Sequence, residues 1–414
     1  MSDAFDIAIV GGGMVGASLG VALKDLGARV ALIEAIPHDA ATQPSFDERT
    51  TALSNGSRRI LDTLGVWPAV ACAATPIRKI HVSDQGHFGF ARIDAAEQGL
   101  AAMGYVVPNR SLGAALWSQV NAGGNVRIFC PAQVARVAAS ENSVQLEVSA
   151  ANGIKAIIDT QLVVAADGVQ SAVRNAFGVA AETRDYEQTA VITTILPQRF
   201  HDNVAYERFT ASGPLAILPL ADGRCTLVLT LSKAMADAAM AWSDAQFLAE
   251  VQRRFGFRLG RILKVGRRVP YPLSLSRARA TSAGRCVIIG NAAQGLHPVA
   301  GMGFNLGLRD VASLAELIAE QRQQGRLDAG DSAMLAEYDA WRRADRGGSI
   351  AFTDGLVRLF SNPLRAVQGV RNLGLLAFDL LPPAKAALSR LSSGAAGRIP
   401  KLARGVALSG VALK

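Results

Sequence analysis

The sequence predicts an α/β fold: a Rossmann-like parallel sheet carrying a β-excursion, a second antiparallel sheet, and a helical C-terminal segment. Three observations predict it. An apolar strand, a glycine loop and a helix follow one another over residues 5–26. Two later segments repeat the strand-then-glycine form, residues 162–166 before Asp167-Gly168 and residues 286–289 before Gly290-Asn291. Between them run short stretches in which apolar and polar residues alternate, the period-2 pattern of half-buried strands.

In chain order, residues 5–10 read as the first buried strand, 17–26 as a helix, and 29–33 as a second strand ending at Glu34. This βαβ unit implies a parallel sheet covered on both faces. Residues 134–148 and 154–164 alternate as the excursion hung on that sheet. From about Tyr186 to Tyr271 the pattern changes. Strands at 190–196, 205–209, 215–220 and 225–231 predict an antiparallel layer, and 243–255 a helix. Beyond Ala344 the chain reads as mostly helical, with Pro363 and Pro382-Pro383 as breaks. The expected division is a discontinuous nucleotide-binding domain (1–75, 96–183 and 280–345) and a substrate-binding β-sheet domain (76–95 and 184–279). A basic, amphipathic helical segment (346–414) completes it.

Length and composition agree with such a fold. The 414 residues are 50% hydrophobic and 19% charged, with 40 glycines, which indicates a globular chain with more than one core. Cys72, Cys130, Cys225 and Cys286 are scattered with no CxxC pair, and the five histidines form no ligand cluster, so no metal site is expected. The apolar run 7–23 is preceded by Asp3 and Asp6 and broken by glycines, unlike a secretion signal. No other stretch has the roughly eighteen apolar residues that span a bilayer, and a cytoplasmic protein is expected. The net charge of +9 is concentrated at the end: from Gly355 onward nine basic residues stand against one acid, Asp379. They are interleaved with Leu356, Val357, Leu359, Phe360, Leu373, Leu375, Leu376 and Phe378. That amphipathic mixture points to a membrane surface or a partner helix rather than nucleic acid.

Three motifs carry the chemistry. The first is Gly11-x-Gly13-x-x-Gly16, with Met14 and Val15 opening the helix and Glu34 closing the next strand. The first glycine permits a tight turn, the second lets a pyrophosphate reach the backbone, and the third packs helix on strand. The helix N-terminus favours the phosphate charge, and Glu34 is placed to accept from an adenosine ribose hydroxyl. This predicts a dinucleotide, FAD or NAD. The second motif, residues 165–174, again ends a strand and opens a helix, and its Asp167 reads equally well as a helix cap. The third runs from Gly290 and Asn291 through Leu296-His297-Pro298 to Gly301-Met302-Gly303-Phe304-Asn305. Asn291 could bond a ribityl hydroxyl, while proline and glycines bring bare backbone beside a flat ring. A helix opening near Gly303 would aim its positive end at that ring.

Together, in this order, the motifs resemble those of the flavin-dependent aromatic hydroxylases typified by para-hydroxybenzoate hydroxylase. The resemblance implies FAD, and it accounts for the absence of a second GxGxxG, since these enzymes lack a separate NAD(P)H domain. Residues 46–53, 81–87, 206–210, 213–219 and 290–298 are closer still to the ubiquinone-biosynthesis hydroxylases. Where most of the wider family has Asp-Ala-Ala-His, this chain has Asn291-Ala292-Ala293-Gln294, as in the branch acting on 2-polyprenyl-6-methoxyphenol. Met302 stands where the family usually has glutamine.

The resemblance implies that Arg49 and Arg110 approach FAD, that Asp167 contacts it, and that Pro298 lies beside it. It further implies NAD(P)H as electron donor, dioxygen as co-substrate and a polyprenylated phenol as acceptor. Tyr271 and His297 are candidates for activating the phenol. A water-insoluble substrate suggests that residues 355–414 dock on the inner membrane face or on a ubiquinone-biosynthesis protein complex. The rival readings are another FAD-dependent ring hydroxylase, a prenyl double-bond reductase or an oxidase on the same fold, a non-catalytic flavin-binding scaffold of a membrane complex, and an NAD-only dehydrogenase.

Overall fold

A computed structural model describes residues 3–40, 43, 45–47, 49–150, 153–295, 301–360, 372, 374, 377–379, 381, 383–385 and 397–408, with backbone alone for 352, 353 and 356–360. Its first sheet has five parallel strands at its centre. These are β1 (Asp3–Val10), β2 (Val30–Ile33), β8 (Val126–Phe129), β11 (Lys155–Ala165) and β19 (Cys286–Ile288), in the spatial order β19-β11-β1-β2-β8. The hairpin of β9 (Ala132–Ala139) and β10 (Val144–Ala150) is hung antiparallel on β11, and β18 (Ser282–Ala283) edges β19. The sheet's centre is fully buried: Ile7, Ile9, Leu32, Leu162 and Val164 on one face, Ala8, Ala31, Val163 and Ala165 on the other. That is why these strands read as unbroken apolar runs.

On the first of those faces lie α1 (Met14–Leu23), α2 (Asn55–Thr63), α3 (Trp67–Val70), α4 (Asn109–Asn121), α8 (Met302–Gln323) and α9 (Ser332–Phe360). The short α5 (Ala172–Ala176) follows the second motif, and its Val173 belongs to the opposite core. A small sheet of β3 (Thr50–Ser54), β4 (Thr75–Ile77) and β7 (Gly104–Pro108) lies between this body and the second large sheet.

The second sheet is β5 (Lys79–Asp84), β6 (Phe90–Asp94), β12 (Ala181–Pro197), β13 (Val204–Thr210), β14 (Gly213–Pro219), β15 (Cys225–Ser232), β16 (Ile262–Val265), β17 (Val269–Ala278) and β20 (Gln294–Gly295). Its spatial order is β20-β17-β12-β15-β14-β13-β5-β6, with β16 also on β12. Pairings are antiparallel except that of β13 with β5. The α/β class read from sequence therefore holds, a mixed parallel and antiparallel architecture with helices.

One face of the second sheet packs Val191, Leu215, Ile217, Leu227 and Leu229 against Phe247, Val251 and Phe255. The aromatic and valine side chains come from α7 (Asp244–Phe255), which follows α6 (Lys233–Ala241). Strand alternation turns the intervening residues to the opposite face. There Ala205 and Leu218 pack with Ala52 of β3, and Thr226 Oγ1 lies 3.0 Å from Thr50 Oγ1. This face therefore looks toward the nucleotide-binding body.

Most of residues 361–414 lie outside the described residues. Those described are tied to the body. Asn372 accepts from Gly89 N at 3.1 Å, Asp379 from Arg92 N at 2.7 Å, and Lys385 Nζ stands 3.3 Å from Asp379. Arg398 and Lys401 pair with Glu337 and Glu320 at 2.6 and 2.7 Å. These three cations of the basic segment are thus already neutralised locally. Among the described residues no helix is long and apolar enough to cross a membrane.

Candidate flavin and substrate site

The glycine loop follows β1 with little room to spare. Gly11 has φ +102°, and a Cβ there would lie 2.5 Å from the Ala166 carbonyl oxygen. A Cβ on Gly16 would come within 1.8 Å of the Gly11 oxygen, so helix and strand meet backbone to backbone. Gly13 is the N-cap of α1, with no side-chain cap and no acid in the first turn. The free N–H groups of α1 are left to an anion. Val15, in that first turn, packs against both Gly290 and Gly307, tying the first motif to the third.

Glu34 closes β2 beside this loop. Its carboxylate accepts from Gly12 N at 2.5 Å, Ile36 N at 2.9 Å and Gln43 Nε2 at 3.4 Å. Trp117 donates to the Gly12 carbonyl and stacks on His38. A pyrophosphate on α1 and a ribose at Glu34 fit this geometry.

The second motif is folded upon itself. Asp167 accepts from Ser171 Oγ and from Val173 N, while Ser171 caps α5 by accepting from Arg174 N. Arg174 reaches on to the Ala292 carbonyl at 2.9 Å, joining second and third motifs.

In the third motif Gly290 has φ +57°, and its N–H donates to Asp310 on α8 at 3.0 Å. Asn291 is exposed in the 3-10 turn Gly290–Ala292, whereas Gln294 is buried and donates to the same Asp310 at 2.9 Å. Leu296, His297 and Pro298 lie outside the described residues. Gly301 is the N-cap of α8 with φ +60°, and again there is no side-chain cap and no acid in the first turn. Met302 is buried, so its side chain serves packing. A Cβ on Gly303 would meet open space. Phe304 packs against the main core. Asn305 clips this helix start to β3, accepting from Ser54 N and donating to the Ala52 carbonyl, both at 2.8 Å. An uncapped 22-residue helix thus begins beside β3.

Arg49 is held by Asp47 at 2.5 Å and lies over the Tyr271 ring, 5.2 Å from its centroid. Tyr271 is 43% exposed on β17, so its phenol is well hydrated. Arg110 is exposed in the first turn of α4.

Two residues with no assigned role in the sequence reading stand out. Asp310 gathers Gly290, Gln294 and Arg342; two adjacent charges, Arg309-Asp310, inside the otherwise uncharged stretch 302–315 are its sequence signal. Glu207, on β13, is the other. In register it pairs with Ala216 of β14 and Val82 of β5. Ala216 pairs with Val228, and Val228 with Ile192. Ile192, Val228, Ala216, Glu207 and Val82 all keep partial exposure, while Val191, Leu229, Leu215 and Ile217 on the other face are buried. An apolar row therefore crosses the sheet, interrupted by one carboxyl. Burial alone pushes the Glu207 carboxyl up to about 7. Its signal in sequence is a single acid inside an alternating strand.

The model of the FAD binding domain family matches residues 4–347. The chain is 38% identical over 407 residues to the ubiquinone hydroxylase UbiL of Rhodospirillum rubrum, covering 97% of this chain and 93% of that protein. It is 33% identical over 380 residues to the 3-demethoxyubiquinol 3-hydroxylase of Escherichia coli (90% and 94% covered). Among solved structures, p-nitrophenol 4-monooxygenase PnpA of Pseudomonas putida superimposes with a TM-score of 0.78 at 19% identity, covering 94% and 97%.

Proposed function

Because the chain belongs to the FAD-binding family of the ubiquinone hydroxylases and is an FAD-dependent monooxygenase of that family, we propose that it hydroxylates the ring of a polyprenylated phenol. The substrate class we infer is 2-polyprenyl-6-methoxyphenol, with NAD(P)H and dioxygen consumed in ubiquinone biosynthesis. The observation that carries this reading is the apolar row Ile192, Val228, Ala216 and Val82. It faces the body that holds the nucleotide motifs. Five strands spaced by about 4.8 Å make the row about 19 Å long, enough for an isoprenoid chain laid across it. The departures Asn291 and Gln294 favour the methoxyphenol branch.

When bound, FAD supplies the redox and oxygen-transfer chemistry. The protein's own residues do the rest. The loop 11–16 and α1 receive the pyrophosphate, Glu34 the ribose, and the N-terminus of α8 the negative edge of the ring. The sheet holds the apolar substrate against that ring and keeps water away. Arg49, Arg110, Asp167, Asn291 and Pro298 are assigned to FAD contact as part of the same proposal.

Mass spectrometry of quinone precursors in a strain lacking the protein tests the substrate. A methoxyphenol short of one hydroxyl is expected to accumulate. Accumulation of another precursor would reassign the branch.

The same reading places the enzyme at the inner membrane face, with residues 355–414 resting on the bilayer or on a biosynthetic complex. The support is their basic and leucine-rich sequence. Full-length protein should co-sediment with anionic vesicles and a form truncated before Gly355 should not.

A further inference from the structure

Glu207 is a carboxyl set where an apolar ligand would lie, and nothing in the fold employs it. Among the described residues no hydrogen bond or ion pair is recorded for its carboxylate, whereas its neighbour Arg208 is engaged with the Arg254 carbonyl and with Ser83. Glu207 is the one ionisable side chain in the apolar row, and perturbed groups facing a ligand surface concentrate where they act on a ligand.

Its position is specific. Two residues before it on the same face, Ala205 belongs with Ile77 and Val106 to the apolar cluster against which Ala52 packs. Ala52 is also the residue that Gly301 sits against, since a Cβ on Gly301 would come within 3.0 Å of the Ala52 Cβ. The start of α8, Ala52 and this cluster thus lie on the side of the second sheet that carries Glu207.

We propose that Glu207 is the catalytic base that accepts the phenolic proton of the substrate, an assignment resting on the hydroxylase reading above. In this step the phenol O–H bond breaks and an O–H bond forms on the Glu207 carboxylate. The electron pair stays on the phenol oxygen and delocalises into the ring, raising electron density at the carbon to be oxidised. No electron enters or leaves the pair.

The chemistry suits the task. A phenol ionises near 10, and an ordinary glutamate near 4.3 is a poor base for it. A carboxyl held at about 7 is closer to the phenol and is still substantially ionised at neutral pH. No neighbouring charge perturbs the Glu207 carboxyl; Asp84 of β5, on the same face by register, lies 3.3 Å from His87.

The test uses FAD-loaded protein, wild type and Glu207→Gln, with 2-geranyl-6-methoxyphenol and its methyl ether as probes. Binding is read from the perturbed flavin absorbance between about pH 5.5 and 8.5, which brackets the ionisation of Glu207 and excludes that of the phenol. Phenol binding to wild type should tighten as pH rises through about 7, because the ionised carboxyl accepts the hydroxyl proton. The methyl ether, which has no proton to give, should bind without pH dependence. In Glu207→Gln the phenol should lose the dependence, and hydroxylation should fall by about 10²–10⁴-fold at unchanged FAD content. Glu207→Asp should restore part of the rate. Equal pH dependence in wild type and Glu207→Gln, or none in wild type, overturns the assignment. Wild type that binds in this manner yet forms no hydroxylated product overturns the hydroxylase reading and leaves the contact with Glu207 standing.

Discussion

Asp310 on α8 and Arg342 on α9 meet at 2.8 Å with both side chains 1% exposed. Burial works against the Arg342 charge, but Asp310 and Asp345 overcome it and hold the guanidinium firmly protonated. The same Asp310 carboxylate accepts from Gly290 N and Gln294 Nε2. One buried ion pair thus fixes the turn that presents Asn291.

Removing one partner of such a pair leaves the other charged and buried. Asp310→Asn should therefore destabilise the protein by about 3–5 kcal/mol, and Asp345, 2.5 Å from Arg342, places the effect at the lower end. Urea midpoints of the FAD-saturated proteins measure it. A loss below about 1 kcal/mol, the level of an exposed pair, would show that the pair does not organise the turn.

Glu34→Ala should weaken FAD binding. The carboxylate is positioned by Gly12 and Ile36, and a hydrogen bond to a charged acceptor is worth about 1.5–3 kcal/mol. Fluorescence titration of the apoprotein with FAD should show a loss of roughly tenfold to a hundredfold. An unchanged Kd would remove Glu34 from the ribose site.

What could be read from the sequence divides along physical lines. The glycines at 11, 16 and 301 were legible because their constraint is local: a positive φ or a Cβ with no room. Glu34 was legible because strand, loop and acid are fixed in spacing by the βαβ unit. Asp167 reads as a cap or as a ligand contact; the cap of α5 is Ser171 instead, and Asp167 supports it by accepting from Ser171 Oγ and Val173 N. Glu207 and Asp310 were not legible. The role of Glu207 depends on strand register across four neighbours, and that of Asp310 on how α8 meets a turn twenty residues earlier. Tyr271 drew attention by residue type, and only tertiary structure reveals that it is exposed.

Acid should loosen the contact of α7 with the second sheet at Glu250. Hydrogen bonds from Arg253 and Arg254 hold its carboxyl down to about 2 against the opposing effect of burial. Arg254 in turn reaches Ser212 between β13 and β14. A depressed folded-state value means that this stabilisation is complete above the unfolded value near 4.3 and is lost as pH falls toward 2. Glu250→Gln should cost about 1–2 kcal/mol at pH 7, with the difference from wild type vanishing near pH 2. Denaturation series at both pH values measure this, and a constant difference would break the link.

The apolar row offers the sharpest separation of cofactor binding from substrate binding. Ala216 lies in its middle, partly exposed, paired with Glu207 on one side and Val228 on the other. Its strand neighbours Leu215 and Ile217 face the opposite core, so a larger side chain at 216 should project into the row rather than disturb that packing. Ala216→Phe should leave FAD content and melting temperature near wild type. A prenyl chain displaced from several carbons of contact loses about 0.8 kcal/mol per methylene. Removing roughly three such contacts would raise the Kd for 2-geranyl-6-methoxyphenol by on the order of 50-fold, while 2-methoxyphenol without a tail should be affected far less. Equal loss for both phenols would mean that the row holds the ring and that the isoprenoid chain lies elsewhere.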